Sequence, residues 1–382
     1  MKVRVSRAFS FLTLILGVTG ILASVIYFSN YDANIALVNK VNTSTSTDFS
    51  NYDANIALVN KVNTSTSTDF SNYDANIALV NKVNIGTIKI DLRVIVIVYN
   101  RAHSVLRLLE SLNRADYEND NVKLEVWIDR SINGTVDPLT EQTAREFRFR
   151  HGAYDVIVHP QNVGIYGQWL STWNPNNNPQ EIAVILEDDL EVSLHFYKYL
   201  KLVHSKYDHY PEINGFALQG LSIHHGVKTW QSFINYTDGQ CVYLYPVLGT
   251  WGFSPSRKNW VRFLDWYAEA RNTSDFKPDV PGNVATSWYN TFLAQGKTNT
   301  MWSMWHIHFA WMHNEYTLYP NFKDHQGLTT NWMEPGLHYK ANSSRQSNPL
   351  LETWEPGYEN MPALPARLDI DGNVSSPPIL NS

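Results

Sequence analysis

The sequence predicts an α/β domain whose core is a mostly parallel, doubly wound sheet flanked by helices. Short apolar runs rich in β-branched residues alternate with stretches whose apolar residues recur at helical spacing. This alternation is typical of βαβ units, which form parallel sheets. Several of the apolar runs also end in a carboxylate or another polar side chain. Because open α/β sheets bind their ligands at the carboxyl ends of the strands, we expect a site at that edge.

The first predicted strand covers Lys89–Asn100 and is almost continuously apolar and β-branched. Such a run is expected of a strand that is buried on both faces of a parallel sheet. In the helical pattern that follows, apolar residues from Val105 to Leu112 recur on one face. The strand and the helix form a first βα unit, with Asn100 and Arg101 at the turn between them.

Three further strands complete the predicted parallel block. In chain order they are Lys123–Asp129, which ends in an acid, a short run that ends at His159, and Ala183–Leu186. The carboxyl ends of all these strands should lie at the same edge of the sheet as Arg101. The chemistry of the site therefore depends on the residues that follow each strand.

Three consecutive carboxylates, Glu187, Asp188 and Asp189, follow the fourth strand, and a new helical pattern begins at Leu194. Adjacent carboxylates repel one another unless a positive charge lies between them, and a divalent cation with oxygen ligands is the usual solution. Acidic residues at this place are also compatible with stabilisation of the positive end of the next helix. The buried strand before the triplet favours the metal, which could in turn bind a diphosphate.

The amino-terminal residues predict a single-pass membrane protein. Residues 1–8 form a short cytoplasmic tail with Lys2, Arg4 and Arg7, and residues 9–28 are uncharged and long enough to cross a bilayer. A cleaved signal peptide is the alternative, but its apolar region is normally shorter. We expect an uncleaved anchor with the rest of the chain in the lumen.

A tandem repeat separates the anchor from the body. Its copies begin at Phe28, Phe49 and, in truncated form, at Phe70. We interpret residues 29–86 as a largely unpacked stem; a short helix in each repeat, or a duplication without a mechanical role, are the alternatives. Residues 87–345 are then the globular body of the chain. Residues 346–382 are a Pro-rich tail that either wraps over the body or stays loose.

Composition excludes one class of partner and limits the use of cysteine. The formal net charge is -6 and no dense Lys/Arg face is present, so we expect no nucleic-acid partner. The chain has 13 Trp and 21 Tyr, which can build cores or line sites for polar ligands. Its single cysteine, Cys241, cannot form an internal disulfide and is expected to be a small buried residue.

Three strand-end motifs, VIVIVYNR, EVWIDRS and VILEDDLEVS, occur in an order and spacing that resemble the GT-A fold nucleotide-sugar glycosyltransferases. Within that class the chain is most similar to the Golgi enzymes that transfer N-acetylglucosamine from UDP-GlcNAc to N-glycan mannose. The resemblance covers roughly residues 89–199. It implies a Golgi membrane enzyme with a lumenal catalytic domain, a UDP-sugar donor, Mn²⁺, and a glycan or glycoprotein acceptor.

The resemblance also implies roles for the strand-end residues. Asn100 and Arg101 would lie near the nucleotide, and Asp129 would accept a hydrogen bond from the uracil ring. Glu187 and Asp188 would belong to the donor site, with Asp188 beside the ribose, and Asp189 would ligate Mn²⁺. A bound cation would neutralise the charge that develops on the UDP leaving group. In the alternative interpretation, Arg101 pairs with a nearby acid and Asp129 caps a turn.

Residues in the second half complete the predicted site. Trp251, in a Gly-Thr-Trp-Gly turn, would contact the donor sugar or else plug the core behind the turn. His338 is the expected late metal ligand, with His308 as its rival. If the aromatic stretch 301–316 is extended, His306 and His308 share a face, although a histidine in such surroundings is more often buried and hydrogen-bonded.

The catalytic base is the gap in the resemblance. An inverting transferase needs a carboxylate within reach of the acceptor hydroxyl. The related enzymes have an aspartate in a Trp-Asp-Asp-Trp-like segment, where this chain has Tyr289 and Asn290. We predict Asp279 or Glu334 as the substitute, with Asp238 also possible. A retaining hexosyltransferase, a catalytically silent carbohydrate-binding relative and a structural membrane-tethered protein are the remaining alternatives.

Overall fold

The computed structural model describes residues 89–175, 180–222, 239–297, 299–336 and 346–375. The predicted tail, anchor and repeat stem lie outside these residues, as do Asp238 and His338. None of the helices in the described part of the chain is both long enough and apolar enough to span a bilayer.

Strands of a ten-stranded sheet and a separate two-stranded ribbon alternate with helices along the described chain. The strands are β1 (Leu92–Val98), β2 (Val122–Ile128), β3 (Gly152–Val158), β4 (Ile182–Glu187), β5 (Leu190–Val192), β6 (Ile213–Ala217), β7 (Val242–Tyr245), β8 (Phe253–Pro255), β9 (Tyr316–Pro320), β10 (Thr329–Asn331), β11 (Ala366–Leu368) and β12 (Val374–Ser375). The helices are α1 (Ala102–Arg114), α2 (Pro138–Glu146), α3 (Gly164–Ser171), α4 (Phe196–Tyr207), α5 (Arg257–Ala270), α6 (Val284–Ala294) and α7 (Ser303–Met312), with short 3₁₀ turns at Lys323–His325 and Pro356–Glu359.

The large sheet has the order β12-β11-β7-β9-β6-β8-β4-β1-β2-β3. Its amino-terminal block, β4-β1-β2-β3, is entirely parallel, as the alternation of strands and helices predicted. Beyond β4 the sheet is mixed, because β8 runs antiparallel to both β4 and β6. The predicted α/β class is therefore confirmed, and the parallel arrangement holds most strictly in the half that carries the acidic triplet.

The register of the parallel block brings the strand ends together. Ile97 lies opposite Glu187, and Val98 lies opposite Ile128. The backbone N–H of Asp129 donates to the carbonyl of Val98 at 2.9 Å, so the residue after β2 lies beside the end of β1. The predicted common edge of the sheet is thus confirmed.

Two cores of different character cover the faces of the sheet. Alternate residues of β1 point to opposite faces, so Val94 and Val96 join one core and Ile95 and Ile97 the other. The first core includes the apolar face of α1, where the predicted residues from Val105 to Leu112 are buried. The second core is strongly aromatic and is built mainly by α3, α5, α6 and α7.

Most of the aromatic stretch 301–316 forms the helix α7, so the condition under which His306 and His308 would share the face of a strand is not met. Seven of the ten residues of α7 are buried, and a helix that is largely apolar all round belongs in a core. His306 and His308 consequently face different neighbours. The His306 ring lies 4.8 Å from Phe263, whereas the His308 ring stacks on Trp266 at 5.8 Å.

Replacing His306 by phenylalanine is expected to reduce the loss of stability in mild acid. Burial lowers the pKa of His306 to about 3, so the unfolded chain takes up a proton below pH 6.5 that the folded chain does not. Between pH 7 and pH 5 the wild type should lose about 1–2 kcal/mol of unfolding free energy more than the variant. Urea unfolding at both pH values measures this difference. Replacement of the exposed His313 is the control, and identical pH slopes for wild type and His306→Phe would contradict the prediction.

Residues 346–375, which we predicted as part of a tail, pack on the body. The strands β11 and β12 extend the sheet beyond β7, and Leu351, Tyr358 and Leu368 are buried. Cys241 is fully buried, as predicted, and its thiol donates to the carbonyl of Tyr358 at 3.5 Å. The carboxyl-terminal segment therefore contributes to the same core as the strands that precede it.

Glu315→Gln is expected to stabilise the fold at alkaline pH. Burial raises the pKa of Glu315 to about 7, although half-exposed Arg262 pairs with it at 3.0 Å. The folded chain therefore holds a proton that the unfolded chain loses above pH 4.5, and stability falls as the pH rises toward 7. We expect a gain of about 1–2 kcal/mol at pH 8 and none at pH 4, measured by urea unfolding. Glu141 pairs with Arg145 at 2.8 Å, with side chains 34% and 52% exposed, and Glu141→Gln is the control. A destabilised Glu315→Gln at pH 8 would refute the prediction.

Candidate functional site

Arg101 lies between two carboxylates of the acidic triplet. It follows β1 and precedes α1, while Asp188 and Asp189 form the turn after β4. The guanidinium donates from Nε to Asp188 Oδ2 at 3.2 Å and from Nη1 to Asp189 Oδ2 at 3.0 Å, and Nη2 donates to the second oxygen of Asp188. We call these three residues the Arg101 cluster. The alternative that Arg101 pairs with a nearby acid is thus what the structure shows.

A distant segment completes the cluster. The ribbon of β5 and β10 places Asn331 opposite Leu190, directly after the triplet. The Asn331 amide then donates to Asp189 Oδ1 at 3.1 Å, and the backbone N–H of Trp332 donates to the Asp189 carbonyl at 3.0 Å. Both side-chain oxygens of Asp189 are therefore held, one by Arg101 and one by Asn331.

Glu334 lies on the same segment and is bound by α1. Its carboxylate accepts hydrogen bonds from Ser104 and Arg107, and the Nε2 atom of His103 lies 3.4 Å away. Burial alone would raise the pKa of Glu334, but the Ser104 and Arg107 hydrogen bonds more than offset this and hold it below its ordinary value. A carboxylate with a lowered pKa is a weak general base. These contacts suit Glu334 to hold the segment against α1.

The acidic triplet carries more negative charge than Arg101 can neutralise. Burial raises the pKa of Glu187 and of Asp188, and the charge of Asp189 raises both further. Arg101 opposes the shift at Asp188, and the two aspartates in turn hold the pKa of Arg101 above its ordinary value despite its burial. The site therefore favours additional positive charge or a bound proton.

Glu187 is oriented by the helix that covers the edge of the sheet. The indole Nε1 of Trp169 on α3 donates to Glu187 Oε1 at 3.0 Å, and the Trp169 ring stacks on Trp302 with centroids 4.4 Å apart. On the same helix, the Gln168 amide donates to the carbonyl of Val98 at 3.0 Å. These bonds fix α3 beside the carboxyl ends of β1 and β4.

Asp129 binds the start of α3. Its carboxylate accepts backbone N–H groups from Arg130 at 2.8 Å and from Val163 and Gly164 at 2.9 Å. A carboxylate at a helix amino terminus is stabilised by such amides and by the helix dipole. The predicted contact between Asp129 and uracil stays a prediction, and the role that the structure assigns to Asp129 is to hold α3.

The remaining predicted site residues have different surroundings. Asn100 is exposed at the end of β1. Trp251 is 7% exposed and lies in the first core. This burial agrees with the alternative that Trp251 fills the core behind the turn, rather than with contact to a donor sugar. Asp279 is exposed in the loop before α6, where its carbonyl lies 2.7 Å from Nδ1 of His308. Among the described residues, no hydrogen bond or ion pair joins Asp279 or His308 to the Arg101 cluster.

The described residues do not form a metal site while Arg101 holds this position. Within these ranges, no three His, Cys, Asp or Glu side chains are placed to hold an ion together. Asp189 was the predicted ligand, and its oxygens are bound by Arg101 and Asn331. The second predicted ligand, His338, lies outside the described residues. The excess of carboxylates favours a cation, but the aspartate oxygens that would bind it already accept hydrogen bonds from Arg101 and Asn331.

Four residues of the site were not predicted from the sequence: Ser104, Arg107, Asn331 and Trp332. Ser104 and Arg107 are three positions apart on α1, and this spacing places them on one face of the helix. The guanidinium of Arg107 also lies 4.4 Å above the ring of Trp332. The helical spacing of Ser104 and Arg107 could be read from the sequence. Their partner Glu334 is brought to α1 only by the pairing of β10 with β5.

No protein-family model matches the sequence, and no curated protein matches it. Among solved structures, TarS 1–349 from S. aureus aligns at 11% identity over 61% of this chain and 60% of that chain, with a TM-score of 0.35. The same protein in complex with UDP-GlcNAc aligns at 13% identity over 44% of this chain and 46% of that chain, with a TM-score of 0.31. The mannosyltransferase PcManGT from Pyrobaculum calidifontis, in complex with GDP-Man and Mn²⁺, aligns at 15% identity over 62% of this chain and 56% of that chain, with a TM-score of 0.35. This chain spans less than two thirds of each, and the fold described above rests on the sheet topology alone.

Proposed function

We propose that the chain is a glycosyltransferase that transfers a sugar from a nucleoside diphosphate sugar to a glycan acceptor. The observation that carries the proposal is the Arg101 cluster, a guanidinium paired with buried carboxylates at the carboxyl edge of the parallel block. Ligands of open α/β sheets bind at this edge. The order of the three strand-end motifs in the sequence gives independent support for a GT-A enzyme.

Arg101 is the residue that we assign to the diphosphate. A guanidinium can donate two parallel hydrogen bonds to phosphate oxygens, as it now does to Asp188. Its charge would stabilise the negative charge that builds on the nucleoside diphosphate as the sugar bond breaks. The buried carboxylates behind Arg101 hold its side chain at the edge of the sheet while no anion is bound.

The finer assignments extend the same proposal. N-acetylglucosamine is the donor sugar that the motif resemblance favours, and a Golgi location is what the same resemblance implies. The uncharged run at residues 9–28 and its positive flank support an anchor with the body on the lumenal side. Mn²⁺ belongs to the proposal as an ion of the acidic triplet, with Asp189 as its ligand.

A second candidate is a catalytically silent protein that binds a nucleotide sugar. Glu334 favours this candidate, because its carboxylate is held by Ser104 and Arg107 and its pKa is lowered. An inverting transfer needs a carboxylate that can accept a proton from the acceptor hydroxyl. Glu334 in its present contacts is poorly suited to that task.

Thermal unfolding with matched ligands tests the proposed function. UDP-GlcNAc and UDP should raise the melting temperature of the full-length chain, since a ligand that binds only the folded state stabilises it. Uridine and free N-acetylglucosamine lack the diphosphate and should have little effect at the same concentration. Release of UDP from UDP-GlcNAc in the presence of glycan acceptors then separates a transferase from a silent binder. Equal shifts with UDP and uridine would exclude the diphosphate site.

A further inference from the structure

The Arg101 cluster leaves no carboxylate oxygen of its two aspartates without a partner. Both oxygens of Asp188 accept hydrogen bonds from Arg101, and Asp189 divides its oxygens between Arg101 and Asn331. A divalent cation would need some of the same lone pairs at a distance of about 2.0–2.6 Å. A guanidinium and a divalent cation so close together would also repel each other strongly in a buried site.

We infer that Arg101 and a divalent cation bind Asp188 and Asp189 in a mutually exclusive manner. Arg101 is then a built-in counter-cation that keeps the ligand-free site closed to metal. The aspartates accept the metal after an anion has drawn the guanidinium away. The identity of that anion, the diphosphate of a sugar donor, rests on the proposed function, whereas the exclusion itself rests only on the contacts of Arg101.

The surroundings of Arg101 allow it to leave. Its side chain is 24% exposed, compared with 5% for Asp188 and 8% for Asp189, so the guanidinium lies on the solvent side of the two aspartates. A Cβ atom added to Gly336 would lie 3.8 Å from Nη1, so the backbone of Gly336 lies near the guanidinium. Arg101 lies in the turn between β1 and α1, and an outward movement of its guanidinium starts with rotation of the side chain.

The charges of the triplet make the exchange a replacement of one cation by another. Once Arg101 has moved, Glu187, Asp188 and Asp189 form an acidic group at the end of β4 with the guanidinium no longer between them. Such a group binds a divalent cation more strongly than the same group with a guanidinium in place. The apparent affinity for metal is consequently reduced by the fraction of molecules in which Arg101 occupies the aspartates.

Binding of Mn²⁺ alone to the full-length chain tests the inference. Free Mn²⁺, measured by electron paramagnetic resonance, should give an affinity at least about tenfold tighter for Arg101→Gln than for wild type. Arg101→Lys keeps a positive charge but cannot form the two parallel bonds, and its affinity should fall between the other two. Arg114→Gln is the matched control, because Arg114 lies on α1 and pairs with Glu191 at 3.0 Å but is exposed. Its affinity should equal that of wild type.

The thermal stability of the same variants gives a second readout. Mn²⁺ should raise the melting temperature of Arg101→Gln more than that of wild type, because it replaces the positive charge that the substitution removes from beside the aspartates. Asp189→Asn in the Arg101→Gln background should abolish this rise. Wild type and Arg101→Gln with the same Mn²⁺ affinity, and with the same thermal response to Mn²⁺, would overturn the inference.

Addition of UDP separates failure of this inference from failure of the proposed function. UDP should tighten Mn²⁺ binding to wild type, and by linkage Mn²⁺ should tighten UDP binding by the same factor. In Arg101→Gln the part of this coupling that depends on removal of Arg101 should be lost. If UDP has no effect on wild type while Arg101→Gln still binds Mn²⁺ more tightly, the exclusion stands and the diphosphate assignment fails. If UDP tightens Mn²⁺ binding equally in both proteins, and the two proteins also bind Mn²⁺ equally without UDP, the diphosphate assignment stands and the exclusion fails.

Discussion

Replacing Arg101 by glutamine is expected to weaken the binding of UDP-GlcNAc by about a hundredfold in a buffer without divalent cations. The substitution removes the charge and the forked donor that we assign to the diphosphate, and both contribute to phosphate recognition. Isothermal titration of the full-length chain with UDP-GlcNAc in the presence of a chelator measures the affinity. Under these conditions the effect on the donor is separated from the gain in metal affinity inferred for the same variant.

Two further variants decide whether the loss reflects the guanidinium itself. Arg101→Lys should recover part of the affinity, since an ammonium supplies the charge without the planar fork. Arg114→Gln removes an exposed arginine from the same helix and should bind as the wild type does. An Arg101→Gln protein that remains folded and binds UDP-GlcNAc with wild-type affinity would refute the assignment of Arg101 to the diphosphate.

The parallel block could be predicted because its signals are local. The β-branched run from Lys89 is typical of a strand buried on both faces, and the apolar spacing from Val105 to Leu112 selects one face of α1. A parallel arrangement then places the residues after each strand at one edge, whatever the rest of the fold does. For this reason Arg101 and the acidic triplet were correctly expected to lie at the same edge.

The partners across the site could not be predicted, because they depend on pairing between distant segments. Nothing near Asn331 indicates that β10 pairs with β5, yet this pairing brings Asn331 to Asp189 and Glu334 to α1. Trp251 shows the same limit, since only the packed core distinguishes a plug from a ligand contact. The sequence pattern identifies the strand-end residues of the site, whereas Asn331 and Glu334, which contact Asp189 and α1, are brought there by tertiary structure.

Residue type at a strand end also did not determine its role. Asp129 and Asp188 both follow parallel strands with acidic side chains directed at the same edge of the sheet. Asp129 accepts hydrogen bonds from backbone amides at the start of α3, whereas Asp188 accepts them from a guanidinium. Which donor reaches a carboxylate depends on whether a helix begins beside it, and α3 begins at Gly164 with a positive φ of 61° that glycine adopts readily.

Glu334→Gln is expected to lower the unfolding free energy by about 2–3 kcal/mol at pH 7, because it leaves Arg107 partly buried without its anion. Arg107 is 23% exposed and Glu334 is 5% exposed, so solvent screens this pair only in part. Because the pKa of Glu334 is lowered, its stabilising contribution is complete above its ordinary value of 4.5 and is lost as the pH falls through the lowered value. The difference between wild type and variant should therefore shrink in acid, as urea unfolding at pH 7 and pH 3.5 would show.

The same variant distinguishes a structural role of Glu334 from that of a catalytic base. A carboxylate that holds Arg107 and Ser104 affects stability, and its replacement should leave measurable transfer at temperatures where the variant is folded. A general base would show the opposite pattern, with stability unchanged and transfer lost by a factor of about 10²–10⁴. Glu359→Gln is the matched control, because Glu359 also has a lowered pKa and an ion pair, with Lys198 at 2.6 Å, but is exposed. Its replacement should change the unfolding free energy by less than about 0.5 kcal/mol, so that a loss confined to Glu334→Gln is attributable to the buried contact with α1.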